Sequence, residues 1–131
     1  MRSFTASLCL ALAAFGCRKP EGAEGSPGHE PGGISITIWT EKSELFVEFP
    51  HLVAGTPAHF AAHLTRLSDF APLTEGAVIF SATGPDEIRQ ELREPTRPGI
   101  WIPTLTFSKP GLYDLILRIS GPQLEDTVMA G

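Results

Sequence analysis

Four histidines, His29, His51, His59 and His63, are the side chains in this chain best suited to hold a metal. His59 and His63 stand four positions apart. On a helix they would share a face and could bind zinc together. On a strand they would still share a face, but roughly 13 Å apart by strand rise, too far for one ion. His51 follows Pro50 and reads as a loop residue. The three are candidates for a metal site, and the alternative is histidines facing solvent from a sheet. His29-Glu30 is a further His–carboxylate pair, set in a segment of Gly, Pro and Glu. No nucleophile elbow precedes any serine, and Gly84-Pro85-Asp86 reads as a turn and not as a phosphate loop. A non-enzymatic protein without a cofactor is therefore expected. Trp39, Trp101 and Phe46 are candidate contact residues. The two tryptophans could form a sugar-stacking platform or pack as ordinary core and rim residues.

Cys17 carries a different chemistry. It closes the run MRSFTASLCLALAAFGC, in which Arg2 supplies the positive start and Phe4 to Phe15 an apolar stretch. About a dozen apolar residues suit a secretory signal and are too few to span a bilayer. A cysteine directly after Gly16 resembles a bacterial lipobox, although Ala14 and Phe15 depart from the usual Leu and small residue. Thioether attachment of diacylglycerol at the Cys17 sulfur would give a stable anchor, since two or more acyl chains hold where one does not. Cys9 lies inside the signal, so the mature domain is expected to have neither a disulfide nor a thiolate metal site. The expected location is exported, periplasmic and held at a membrane. Residues 1–17 are the signal, and 18–33, RKPEGAEGSPGHEPGG, a flexible tether with too little apolar surface to offset its ordering entropy.

The remaining residues, 34–131, are expected to form one domain. The formal net charge is -5 and the basic residues are scattered, which argues against a nucleic-acid partner. Thirteen glycines and twelve prolines punctuate short apolar runs. Ile34, Ile36 and Ile38 alternate with Ser35, Thr37 and Trp39, and Glu44 to Phe49 alternates less cleanly, with Leu45, Val47 and Phe49 on one face and Phe46 and the acids on the other. Phe60, Ala62 and Leu64 alternate with Ala61, His63 and Thr65, and Val78, Phe80 and Ala82 with Ala77, Ile79 and Ser81, a heavily apolar strand expected to be central. Glu87 to Arg93 fits either a helix or an edge strand, and the neighbouring strands favour the edge. Ile100, Ile102 and Thr104 lie opposite Trp101, Pro103 and Leu105, and Pro103 places its part of the strand at an edge or a bulge. Tyr113, Leu115, Leu117 and Ile119 follow the turn Lys109-Pro110-Gly111, and a last short strand lies within Leu124 to Met129.

Seven to eight short strands with turn signals about every eight to twelve residues predict an all-β, immunoglobulin-like sandwich. Tyr113, just beyond Gly111, resembles the tyrosine corner of such sandwiches, where the hydroxyl bonds back to the backbone. Gly111 and Tyr113 are thus expected to be structural.

Four stretches, WTEKSELFVEFP, HLTRLSDFAPLTEG, RPGIW and PGLYDL, follow in order through Ile34 to Thr127. Together they resemble the N-terminal region of periplasmic adaptor subunits (membrane fusion proteins) of RND-type efflux systems. Fuller members of that family continue into a helical hairpin, a lipoyl-like domain and a β-barrel, so the match covers the N-terminal sandwich alone. The resemblance implies protein–protein contacts in transmembrane efflux, with a pump or outer-membrane channel component as partner. Several relatives serve heavy-metal efflux with His-rich tails, of which only His29 stands here. The alternative is a stand-alone periplasmic lipoprotein that binds a metal or small ligand.

Overall fold

The computed structural model describes residues 32–131. Cys9, Cys17, His29 and most of the expected tether lie outside the described residues. Ten strand segments run in order: β1 (Ile34–Trp39), β2 (Ser43–Phe49), β3 (Pro57–His59), β4 (Ala61–Arg66), β5 (Ala77–Thr83), β6 (Glu87–Leu92), β7 (Ile100–Trp101), β8 (Thr104–Thr106), β9 (Asp114–Ser120) and β10 (Asp126–Ala130). One sheet has the order β1-β2-β4-β7, the other β10-β9-β5-β6, and β3 pairs with β8. Every pairing among them is antiparallel.

The β3–β8 pair belongs to the first sheet. His59 faces Thr104 and Ala62 faces Trp101, so one register runs through both ladders. Phe60 N donates to Pro103 O at 3.0 Å. Pro103 has no N–H to return the bond, which interrupts the ladder without shifting it. The ten segments are therefore eight strands, within the expected seven to eight. Pro103 stands on the outermost strand of its sheet, as its missing donor requires.

The chain crosses between sheets after β4, after β6 and after β8, and the two sheets enclose one core. Period-two alternation decides which side chains enter it. Leu45, Val47, Ala62, Leu64 and Trp101 come from the first sheet, and Val78, Phe80, Leu117 and Val128 from the second, all at most 1% exposed. The ambiguous segment is the edge strand β6. Its Ile88 and Leu92 pack on the core while Glu87, Arg89 and Glu91 face out. A charged edge of this kind discourages pairing with other chains. Across the gap between sheets, Gln90 Oε1 accepts a hydrogen bond from Thr104 N at 2.8 Å, which ties β6 to β8.

Trp101 corrects an expectation. It is fully buried, so it is a core residue and neither a contact residue nor half of a sugar platform with the exposed Trp39. Leu73, between β4 and β5 and outside both, is also fully buried. The bonds Leu73 N to Leu64 O (2.9 Å) and Gly99 N to Leu73 O (3.1 Å) hold it there.

Candidate functional site

The sandwich has two ends with different character. Residue 32, the loop 50–56, the β5–β6 turn and the β8–β9 loop share one end, here the near end. The β1–β2 turn, the loop 67–76, and residues 121–125 share the far end. The register fixes this division: Ile34 pairs with Phe49 and Thr83 with Asp114 at the near end, whereas Trp39 pairs with Glu44 and Ser43 with Arg66 at the far end.

At the far end Asp126 bridges the sheets. Its Oδ2 accepts from Thr40 Oγ1 at 2.5 Å and from Ser43 Oγ at 2.6 Å, and its Oδ1 accepts from Thr127 N at 2.8 Å. Partial burial alone would raise this carboxyl. The hydrogen bonds from Ser43, Thr40 and Thr127 N, with the Lys42 charge, outweigh burial and hold it below the usual carboxylate range. Gln123 ties two loops, accepting from Thr74 N (2.9 Å) and donating to Thr74 Oγ1 (2.8 Å). Lys42 Nζ donates to Glu125 O at 3.0 Å. Beside these ties lies an open cleft of about 390 Å³, lined by Glu41, Lys42, Leu67, Ser68, Gln123, Leu124 and Glu125.

Phe70 projects from the same end. It is 79% exposed and has φ 55°. Left-handed backbone is uncommon for an aromatic residue, so neighbouring bonds must hold it. Asp69 does so from both sides: Oδ2 accepts from the Arg66 guanidinium at 2.8 Å and Oδ1 from Ala71 N at 3.2 Å. Trp39, 62% exposed at the end of β1, is the second exposed ring of this end. Phe46 is half-buried on the outer face of the first sheet, and its ring lies 5.5 Å from that of His63.

At the near end Asp86 is the hub. Ser108 donates to it through both N (3.0 Å) and Oγ, and the Tyr113 hydroxyl donates to its other oxygen. That hydroxyl also lies 2.9 Å from Lys109 O, four residues upstream. The Ser108 hydroxyl, then the Tyr113 hydroxyl, lower the Asp86 carboxyl below its usual range. A carboxylate so stabilised is a weak base. It anchors the Ser108 hydroxyl instead of activating it. Gly111 completes the corner at φ 152°, packed against Pro85. Below these loops runs a chain of rings, Phe49–Phe60 (4.7 Å), Phe60–Phe107 (6.2 Å) and Phe107–Tyr113 (4.8 Å).

The three histidines are placed separately. His51 lies in the loop after β2, His59 on β3 bonds to Thr104 through Nδ1 at 2.9 Å, and His63 on β4 packs on Phe46. Among the described residues no group of three or more His, Cys, Asp or Glu is close enough to hold a metal. Phe70 and the 94% exposed Leu112 escaped sequence reasoning. For Leu112 the signal is an apolar residue out of phase with the alternation of Tyr113, Leu115, Leu117 and Ile119, just after the turn Lys109-Pro110-Gly111; Phe70 is in phase with Phe60, Ala62 and Leu64 and is marked only by its place in a connection. Comparison with protein-family models, with curated proteins and with solved structures gives no match.

Proposed function

We propose that this chain is a non-enzymatic, exported contact module, held at a membrane through Cys17 and presenting its far end to a protein partner. The observation that carries this reading is the pair of exposed aromatic rings, Trp39 and Phe70, on backbone pinned by strand pairing and by Asp69. Large aromatic rings on rigid supports are what protein interfaces use as anchors. The polar side chains of both ends are engaged in tying loops together, which suits a scaffold. The resemblance to the N-terminal sandwich of RND efflux adaptors supplies the kind of partner, a pump or outer-membrane channel component. An immunoglobulin-like sandwich is a common support for such contacts, and the reach of Tyr113 to Lys109 O favours that relationship.

Photo-crosslinking in the native host tests the reading. p-Benzoylphenylalanine replaces Phe70 in one strain and Arg118, on the outer face of the second sheet, in another. Adducts from position 70 that contain a pump or channel protein, and are absent from position 118, are expected. The same adducts from both positions, or none from position 70, would remove the far end as a contact surface.

A further inference from the structure

The near end carries a second exposed apolar group that the contact reading does not use. Leu112 is 94% exposed, Val53 59% and Leu52 41%. Leu112 lies in the β8–β9 loop, and Leu52 and Val53 lie in the β2–β3 loop. The two loops are joined, since Gly55 N donates to Phe107 O at 2.7 Å. The ring chain from Phe49 to Tyr113 supports them from below, and the Asp86 hub fixes the β8–β9 loop against the β5–β6 turn. Three aliphatic side chains are thus held out from a stiff base, at the end where the chain arrives from its N-terminal residues.

That arrival identifies the occupant. From Cys17 to Gly32 the chain advances 15 positions (32 − 17). Even fully extended, that many residues reach no more than about 50 Å. Anchored at Cys17, the near end stays within a few nanometres of the lipid surface, and a contact too weak to recruit a free protein is sufficient for a tethered one. The charge pattern decides which part of the lipid is met. Among the described residues Glu87 and Asp114 flank this end and Lys109 is its one nearby lysine, and the chain carries a net charge of -5. Anionic headgroups are therefore not the attraction. The aliphatic tips are.

We infer that Leu52, Val53 and Leu112 dip into the interfacial layer of the bilayer that holds the chain, and so stand the sandwich upright with Trp39 and Phe70 turned away from the membrane. This rests on the reading of Cys17 as the anchor. Side chains of this type enter the boundary between headgroup and acyl chain without spanning it.

The test imposes the anchor chemically, so that it does not depend on native lipidation. The chain from Cys17 to Gly131 has Cys17 as its only cysteine. It is coupled to a maleimide lipid in phosphatidylcholine vesicles, with and without lipid brominated on the acyl chain. An L112W variant in a W39F background reports the near end, while unaltered Trp39 in the parent chain reports the far end. Buried Trp101 gives the same background in both. The expected result is a blue shift and bromine quenching for L112W, neither for Trp39, and loss of the L112W quenching when L52E and V53E are added. No quenching of coupled L112W overturns the inference, and so does quenching of Trp39 in its place. Quenching that needs added phosphatidylglycerol also overturns it, because aliphatic insertion does not require anionic lipid. Native acylation of Cys17 is read separately from the mass of the membrane-extracted chain, so failure of the anchor and failure of the docking are distinguishable.

Discussion

Tyr113 and Asp86, 27 positions apart, are joined by one hydrogen bond in which the tyrosine hydroxyl donates to the carboxylate. That bond closes the β5–β6 turn onto the β8–β9 loop, while Ser108 holds the other carboxylate oxygen. Charge-assisted hydrogen bonds are the stronger kind. D86N keeps the shape and removes the charge, and Y113F removes the donor. Each is expected to lower the thermal midpoint at pH 7. The double variant should lose less than the two losses added, because both break the same link. Thermal unfolding followed by circular dichroism measures all four proteins. Strict additivity would show that the two residues act independently.

The same groups set a pH dependence. The folded Asp86 and Asp126 carboxyls lie below their ordinary value, Asp86 through hydrogen bonds from Ser108 and Tyr113, and Asp126 through bonds that outweigh burial. Their contribution is present above the unfolded value of about 3.9 and is lost as pH falls through the lower folded values. Burial first, then the Asp86 hydrogen bond and charge, raise the Tyr113 phenol. Its contribution is present below the unfolded value of about 10 and is lost as pH rises through the folded value. A plateau of stability is expected between the carboxylate and phenol ranges. D86N and D126N should flatten the acid limb, and Y113F the alkaline limb. A thermal midpoint that changes steeply between roughly pH 6 and 8 would contradict this assignment.

Gly111 is needed for space as well as for its backbone angle. A Cβ at this position would lie 2.5 Å from Pro85 Cγ, and the residue has φ 152°. G111A is expected to cost about 1–3 kcal/mol, the range for strained backbone and overpacking. P85A should recover part of that loss when combined with G111A, because it removes the atom in the way. Chemical denaturation of the single and double variants decides the point. A G111A protein as stable as the parent would mean that the corner relaxes freely.

The strands were legible where burial of one face imposes period two. Phe60, Ala62 and Leu64 point inward, as do Val78, Phe80 and Ala82, and Leu115, Leu117 and Ile119. Pro103 announced an outer strand because it lacks a donor. Alternation was silent between Ile100 and Pro103, where both faces are apolar. Period two shows that two faces exist there, but not which one is buried, so Trp101 and Ile102 could not be ranked. Leu73 was missed for a related reason. Its burial depends on Leu64 O and Gly99, contacts made only after strands from distant parts of the chain have paired. The Asp86–Tyr113 bond and the Asp69 clamp on Phe70 arise in turns, where no periodicity exists to read.

The two tryptophans should separate in every measurement. Trp101 is fully enclosed, and its indole Nε1 finds no hydrogen-bond partner among the described residues. W101A therefore removes a large core volume and should cost about 3–5 kcal/mol. W101F should cost less, since it leaves a smaller cavity and deletes an N–H that is buried without a partner. Trp39 is 62% exposed, and W39A should change stability by no more than about 0.5 kcal/mol. Fluorescence gives an independent check. The emission that remains in W39F should resist acrylamide, whereas the Trp39 component of the parent should be quenched. If W39A were as costly as W101A, the Trp39 ring would be structural, and Phe70 alone would remain as the aromatic anchor of the far end.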